Sequence, residues 1–151
     1  MLAEDQLDNF EYQTDDAQGR GVPFAAHIRK VNPRNTRRHR LLRRGISFGE
    51  WLDDYDAEFP DDRGLLFLCY QSSIEHQFEF VQQRRVNHPL EPTKDDGPDA
   101  TIAQRFETRS VSLPGIRGGD LTLERFVITT GGEYFFQPSI SALRILAGAR
   151  I

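Results

Sequence analysis

The run GLLFLCYQ, residues 64–71, sets the first condition on any fold for this chain. Successive side chains of a strand point to opposite faces. Here both sets are apolar: Leu65, Phe67 and Cys69 on one side, Leu66, Leu68 and Tyr70 on the other. A strand of that pattern is expected at the centre of a sheet, buried on both faces. A chain of 151 residues has room for one modest domain around such a core.

The stretch PFAAHIRKVNPRNTRRHRLLRRGISFG, residues 23–49, is the second constraint. Between His27 and Gly45 it carries eight Lys or Arg residues and no carboxylate. The charge around it alternates in blocks: residues 1–16 are acidic, 29–44 basic and 50–62 acidic again, for a net charge of −4. That balance does not favour nucleic acid as a partner, and the basic stretch lacks interleaved aromatics. No apolar run reaches the roughly 18 residues of a membrane span. The N-terminal MLAEDQLDNF has no basic region followed by an apolar one, so the expected location is cytoplasmic. The single cysteine, Cys69, excludes an internal disulfide and reads as a buried, inert thiol.

Taken in order, residues 1–22 read as an irregular lead-in and 23–151 as the domain. Residues 23–31 are expected to be extended, with Asn32-Pro33 as a turn. Residues 40–48 form a strand whose internal Gly45 suggests a bulge or a close backbone approach. Residues 50–62 are an acidic loop with a short helix at GEWLDDYD. Ser72-x-x-Glu75 makes a capping box for a helix with Ile74, Phe78 and Val81 on one stripe, ending near Val86–Asn87. Residues 88–120 read as a long, partly ordered loop. FVITT, Gly131-Gly132 and EYFFQP read as a hairpin or bulged strand, and Ser139 as the cap of a last helix. The class is α+β: an antiparallel sheet covered by helices.

Two residues invite chemistry. His27 follows Pro-Phe-Ala-Ala, which suits a structural histidine or a ligand alike. His39, His76 and His88 do not stand at zinc spacing from it, whereas haem requires only one protein imidazole beside the porphyrin nitrogens. In the strand RLLRRG one of Arg43 and Arg44 must share a face with a leucine, and an arginine there calls for an anionic partner or a developing negative charge. Arg37, Arg38 and Arg40 read as a solvated face.

Four blocks taken together, PFAAHIRKVNPR, LLRRGISFG, DRGLLFLCYQSSIEHQFEFVQ and TTGGEYFFQPSISALR, resemble the C-terminal half of the dye-decolorizing (DyP-type) haem peroxidases. The blocks run in the family's order and cover most of residues 23–146. The resemblance implies an incomplete ferredoxin-like antiparallel sheet with packing helices, the second half of a dimeric α+β barrel-type peroxidase. It implies haem b as cofactor, hydrogen peroxide and a reducing small molecule as substrates, and a further N-terminal chain or a second copy as partner, with no role for nucleic acid or membrane. By residue, it implies His27 as the iron ligand and Arg43 as the distal catalytic cation. Glu124 would hydrogen-bond His27, Leu65 and Phe67 would line the distal side, and Arg34 would pair with a haem propionate. The family's Gly-x-x-Asp-Gly motif does not occur in these 151 residues. The resemblance would put it, and the first ferredoxin-like half, before residue 1. The alternative expectation is therefore a remnant or split half that binds haem only with an N-terminal partner chain.

Overall fold

A computed structural model describes residues 10–34, 37–49, 63–91, 97–105, 107–114 and 119–148. The acidic 50–62 stretch lies outside them. From Phe10 on, the lead-in folds against the domain. One helical turn, α1 (Tyr12–Asp15), is followed by a turn wrapped on the Asp16 carboxylate. That carboxylate accepts from the amides of Arg20 (2.7 Å), Gly21 (3.1 Å) and Val22 (2.8 Å) and from Arg29 (3.1 Å). Gly19 in this turn has φ +65°, where a Cβ would also stand 3.2 Å from the Phe24 ring.

Residues 27–31 are helical, not extended: α2 spans His27–Val31. Pro23 starts the chain's turn into it, with the Ala26 amide bonded to the Pro23 carbonyl at 3.0 Å. Asn32-Pro33 ends it, because the ring of a proline disfavours helix at the residue before it.

The two apolar strand runs pair with each other as an antiparallel hairpin, each in two short pieces. β1 (Leu42–Arg43) pairs β4 (Cys69–Tyr70), and β2 (Ile46–Phe48) pairs β3 (Gly64–Leu66). Leu42 faces Tyr70 and Ile46 faces Leu66. Four steps forward on one strand match four steps back on the other, so the register crosses the interruption unchanged. There is no bulge at Gly45. Its role is close approach, since a Cβ there would lie 3.1 Å from Leu65 Cδ1. The hairpin is not the buried centre of a sheet: Leu65 is 61% exposed and Leu66 58%.

The next helix runs through Ile74–Glu79 and Val81–Val86 in wide, π-type turns, closing with the Asn87 amide on the Gln82 carbonyl at 3.1 Å. Its cap is Ser73, one residue later than the capping box suggests, with Ser73 Oγ accepting from the His76 amide at 3.2 Å. Ser72 instead binds Gln77, whose Oε1 accepts from the Ser72 and Ser73 amides and the Ser72 hydroxyl. Among the described residues one cluster of buried apolar side chains forms, Val81, Val86 and Ala103, with Val31 and Ile102 packed on it.

A second hairpin begins inside the region read as loop, residues 88–120, and ends beyond it. β5 (Thr108–Ser112) pairs β6 (Asp120–Glu124) in antiparallel register, with Arg109 opposite Leu123 and Val111 opposite Leu121. Arg109 and Val111 are its buried positions. The Arg109 guanidinium reaches inward to the carbonyls of Ala103 (2.7 Å) and Thr101 (3.5 Å). FVITT and EYFFQP form no strand, and Phe135 and Phe136 are 86% and 90% exposed. The last helix stands where Ser139 places it: α3 (Ile140–Leu146), with Ser139 Oγ accepting from the Ala142 amide at 3.2 Å. No described helix is long and apolar enough to cross a membrane.

Candidate functional site

His27 opens α2, and its ring turns to a loop 72 residues away in sequence. Its Nδ1 lies 2.8 Å from Asp99 Oδ2. A carboxylate accepts, so Nδ1 carries a proton, and in the neutral imidazole that leaves the lone pair on Nε2. Asp99 is wholly buried, while the imidazole is 35% exposed. Nε2 makes no hydrogen bond among the described residues. The result is an oriented, reachable imidazole nitrogen with its other edge anchored. That is the arrangement of a metal-ligating histidine and its outer carboxylate.

Asp99 is itself fixed by its neighbours. Oδ1 accepts from the amides of Thr101 (2.8 Å) and Ile102 (2.9 Å). The Asp99 amide donates to the Val86 carbonyl (2.9 Å) and the Ala100 amide to the Ala25 carbonyl (2.8 Å). This is an Asx turn sewn between the end of the central helix and the approach to α2. The partner of His27 is therefore Asp99, and the expected Glu124 is corrected. Glu124 is the exposed last residue of β6, opposite Thr108. The missed signal was local: Asp99-Ala100-Thr101-Ile102 is an Asx-turn sequence inside a stretch read only as loop.

The hairpin register gathers three more of the expected residues. Arg43 faces Cys69, and Ser47 faces Leu65, with Gly45 and Phe67 between them in the same register. Alternation puts Arg43, Phe67 and Leu65 on one face. Gly45 leaves a shallow gap among them that a Cβ would fill. All three are exposed, and Phe67 also meets the Phe78 ring at 6.3 Å. Arg44 points to the opposite face by register, with its guanidinium donating to the Arg43 carbonyl at 3.1 Å. Burial pushes the Cys69 thiol above its ordinary pKa, which suits an unreactive thiol.

Arg34 has a left-handed backbone, φ 69°, and its Nε donates to the Phe10 carbonyl at 2.9 Å. Among the described residues no hydrogen bond joins His27 or Asp99 to the first hairpin. A separate groove of about 420 Å³ is lined by Arg38, His76 and a His39 ring lying flat on Phe80 at 3.6 Å. It holds neither His27 nor Arg43. Among the described residues no three His, Cys, Asp or Glu side chains converge as a metal-ion site. Among the described residues His27 Nε2 stands as a single open imidazole donor, which fits a group that brings its remaining ligands with it.

A family profile described as Dyp-type peroxidase, C-terminal, matches residues 4–95. The chain is 35% identical over 162 aligned residues to the multifunctional dye peroxidase DyP2 of an Amycolatopsis species, covering 91% of this chain and 35% of that protein. It is 36% identical to a dye-decolorizing peroxidase of Exidia glandulosa, covering 89% of this chain and 29% of the other. A solved dye-decolorizing peroxidase in complex with cyanide superposes with a TM-score of 0.77 at 37% identity, over 91% of this chain and 34% of that one. The chain thus spans about a third of the length of these relatives. Its α+β fold, its short antiparallel hairpins and its matched residues agree with one assignment: the chain belongs to the DyP-type peroxidase family, in its C-terminal portion.

Proposed function

We propose that this chain is the haem-binding portion of a peroxidase that uses hydrogen peroxide to oxidise small reducing substrates. The observation that carries the reading is His27, held at Nδ1 by a buried carboxylate and open at Nε2. Haem b, when bound, supplies the redox-active iron. His27 Nε2 is the protein ligand. Asp99 holds the ring in the Nδ1–H tautomer and raises the basicity of Nε2. Arg43 presents a permanently charged guanidinium for negative charge leaving on a peroxide oxygen. Leu65 and Phe67, on the same hairpin face, keep that side apolar. Arg34 is assigned to a haem propionate.

The test is a hemin titration of the purified chain, followed through the Soret band and repeated with His27→Ala. A histidine-dependent band supports the reading, and its absence in the unsubstituted chain overturns it. For catalysis, peroxide-dependent dye oxidation is compared with free hemin. Arg43→Leu is expected to lower the rate about a hundredfold, the scale of losing one preorganised charge-stabilising group. Turnover by the unsubstituted chain no better than hemin removes the peroxidase claim.

A second reading is a half-site completed by a further stretch of protein. The observation that favours it is the first hairpin, open on both faces at Leu65 and Leu66. It predicts tight hemin binding only after addition of a segment carrying Gly-x-x-Asp-Gly.

A further inference from the structure

α2 sends two side chains, not one, to the loop that carries Asp99. His27 and Lys30 are three residues apart and so share a helix face. Lys30 is completely buried. Its ammonium donates to the carbonyls of His88 (3.0 Å) and Gly97 (2.7 Å) and to that of Glu91. Three carbonyls match the three N–H donors of an ammonium. All three belong to the segment that runs from the end of the central helix to Asp99. Burying an ammonium is costly unless its donors are satisfied, so this cage is a specific structure and not a solvated cation.

We infer that Lys30 is a positioning residue for the His27 site: it ties His88, Glu91 and Gly97 to α2 and so fixes the Asp99 carboxylate against His27 Nδ1. Asp99 is also held by its own turn through Thr101 and Ile102, and the residues after it are held by Arg109 on the Ala103 carbonyl. If those contacts suffice, removing the ammonium leaves the imidazole untouched. The inference deepens the haem reading for its second readout and is independent of it for the first.

The experiment uses the 151-residue chain with Lys30→Met, which keeps the stem and removes the donors, beside Asp99→Asn as reference. The first readout is the ring ¹⁵N shifts of His27 without haem, at alkaline pH. The unsubstituted chain is expected to show the Nδ1–H tautomer. Lys30→Met is expected to move toward the tautomer-averaged position, as Asp99→Asn does. The second readout is the hemin-loaded protein. Lys30→Met and Asp99→Asn are both expected to weaken hemin binding about tenfold, the lower end for losing an outer partner of a ligand. Both are also expected to shift the Fe(II)–imidazole stretch downward together. Should Lys30→Met not fold by circular dichroism, Lys30→Gln, which keeps two N–H donors, is read by the same criterion. Ring shifts that stay at the unsubstituted value in the Lys30 variant while Asp99→Asn moves them overturn the inference. An unsubstituted chain that takes up no hemin overturns the haem reading alone, and the tautomer measurement still decides the role of Lys30.

Discussion

At the scale of the residue, two carboxylates organise this chain, and both do so by gathering backbone amides. Asp16 collects three amides and Arg29, and its pKa is held below the usual carboxylate range, chiefly by the Val22 amide. A depressed folded-state pKa means that the stabilisation is full above the unfolded value and is lost as pH falls through the folded one. The chain is therefore expected to lose stability on acidification below about pH 4. Asp16→Asn should flatten that dependence in urea titrations run across the range. Asp99 was not legible in the sequence as the partner of His27. The two stand 72 positions apart, and nothing in periodicity or spacing links them. The family resemblance implies Glu124 instead, a residue whose strand pairing holds it opposite Thr108. His27, Arg43, Leu65 and Phe67 each sit in a block that carries the family resemblance, yet the local geometry at His27 is helical where the sequence reads as extended.

At the scale of the element, cap residues located the last two helices, whereas α2 reads as extended in the sequence. Ser139 caps α3 as expected, and the central helix starts within one residue of its expected cap. That start depends on Gln77 more than on either serine. Its Oε1 accepts three bonds from Ser72 and Ser73, and its Nε2 donates to the Arg40 carbonyl at 2.6 Å, just before β1. Gln77→Ala is expected to destabilise the chain by about 2 kcal/mol, the scale of several net hydrogen bonds lost at a partly exposed site. Ser139→Ala, at a cap whose helix buries no residue, should cost less, by the same urea unfolding measurement. Strand reading failed where pairing decides. TRSVS looks polar, yet it forms β5 because Arg109 finds carbonyls inside and Val111 packs beside it. EYFFQP looks like a strand, yet no partner strand meets it among the described residues.

At the scale of the whole molecule, large apolar side chains stand outside the buried cluster of the described residues, Leu65, Leu66, Phe135 and Phe136 among them. Patches of this kind mark surfaces built to be covered. The folded chain is expected to enhance anilinonaphthalene sulfonate fluorescence, and Phe48→Lys with Leu66→Lys to reduce it. Register puts both positions on the hairpin face away from Arg43. This is also where sequence reading had its clearest limit. An apolar pattern on both faces of residues 64–71 reports that cover is required, not which protein segment provides it.

The unbroken register of the first hairpin has a consequence for how its length can vary. Adding one residue to a single strand near Gly45 would turn Ile46 and Phe48 onto the side of Arg43 and bring Ser47 to theirs. Adding two residues to each strand would lengthen the hairpin and leave both sides as they are. Viable insertions and deletions between Arg43 and Cys69 should therefore fall at the tip, or come in matched even steps on both strands.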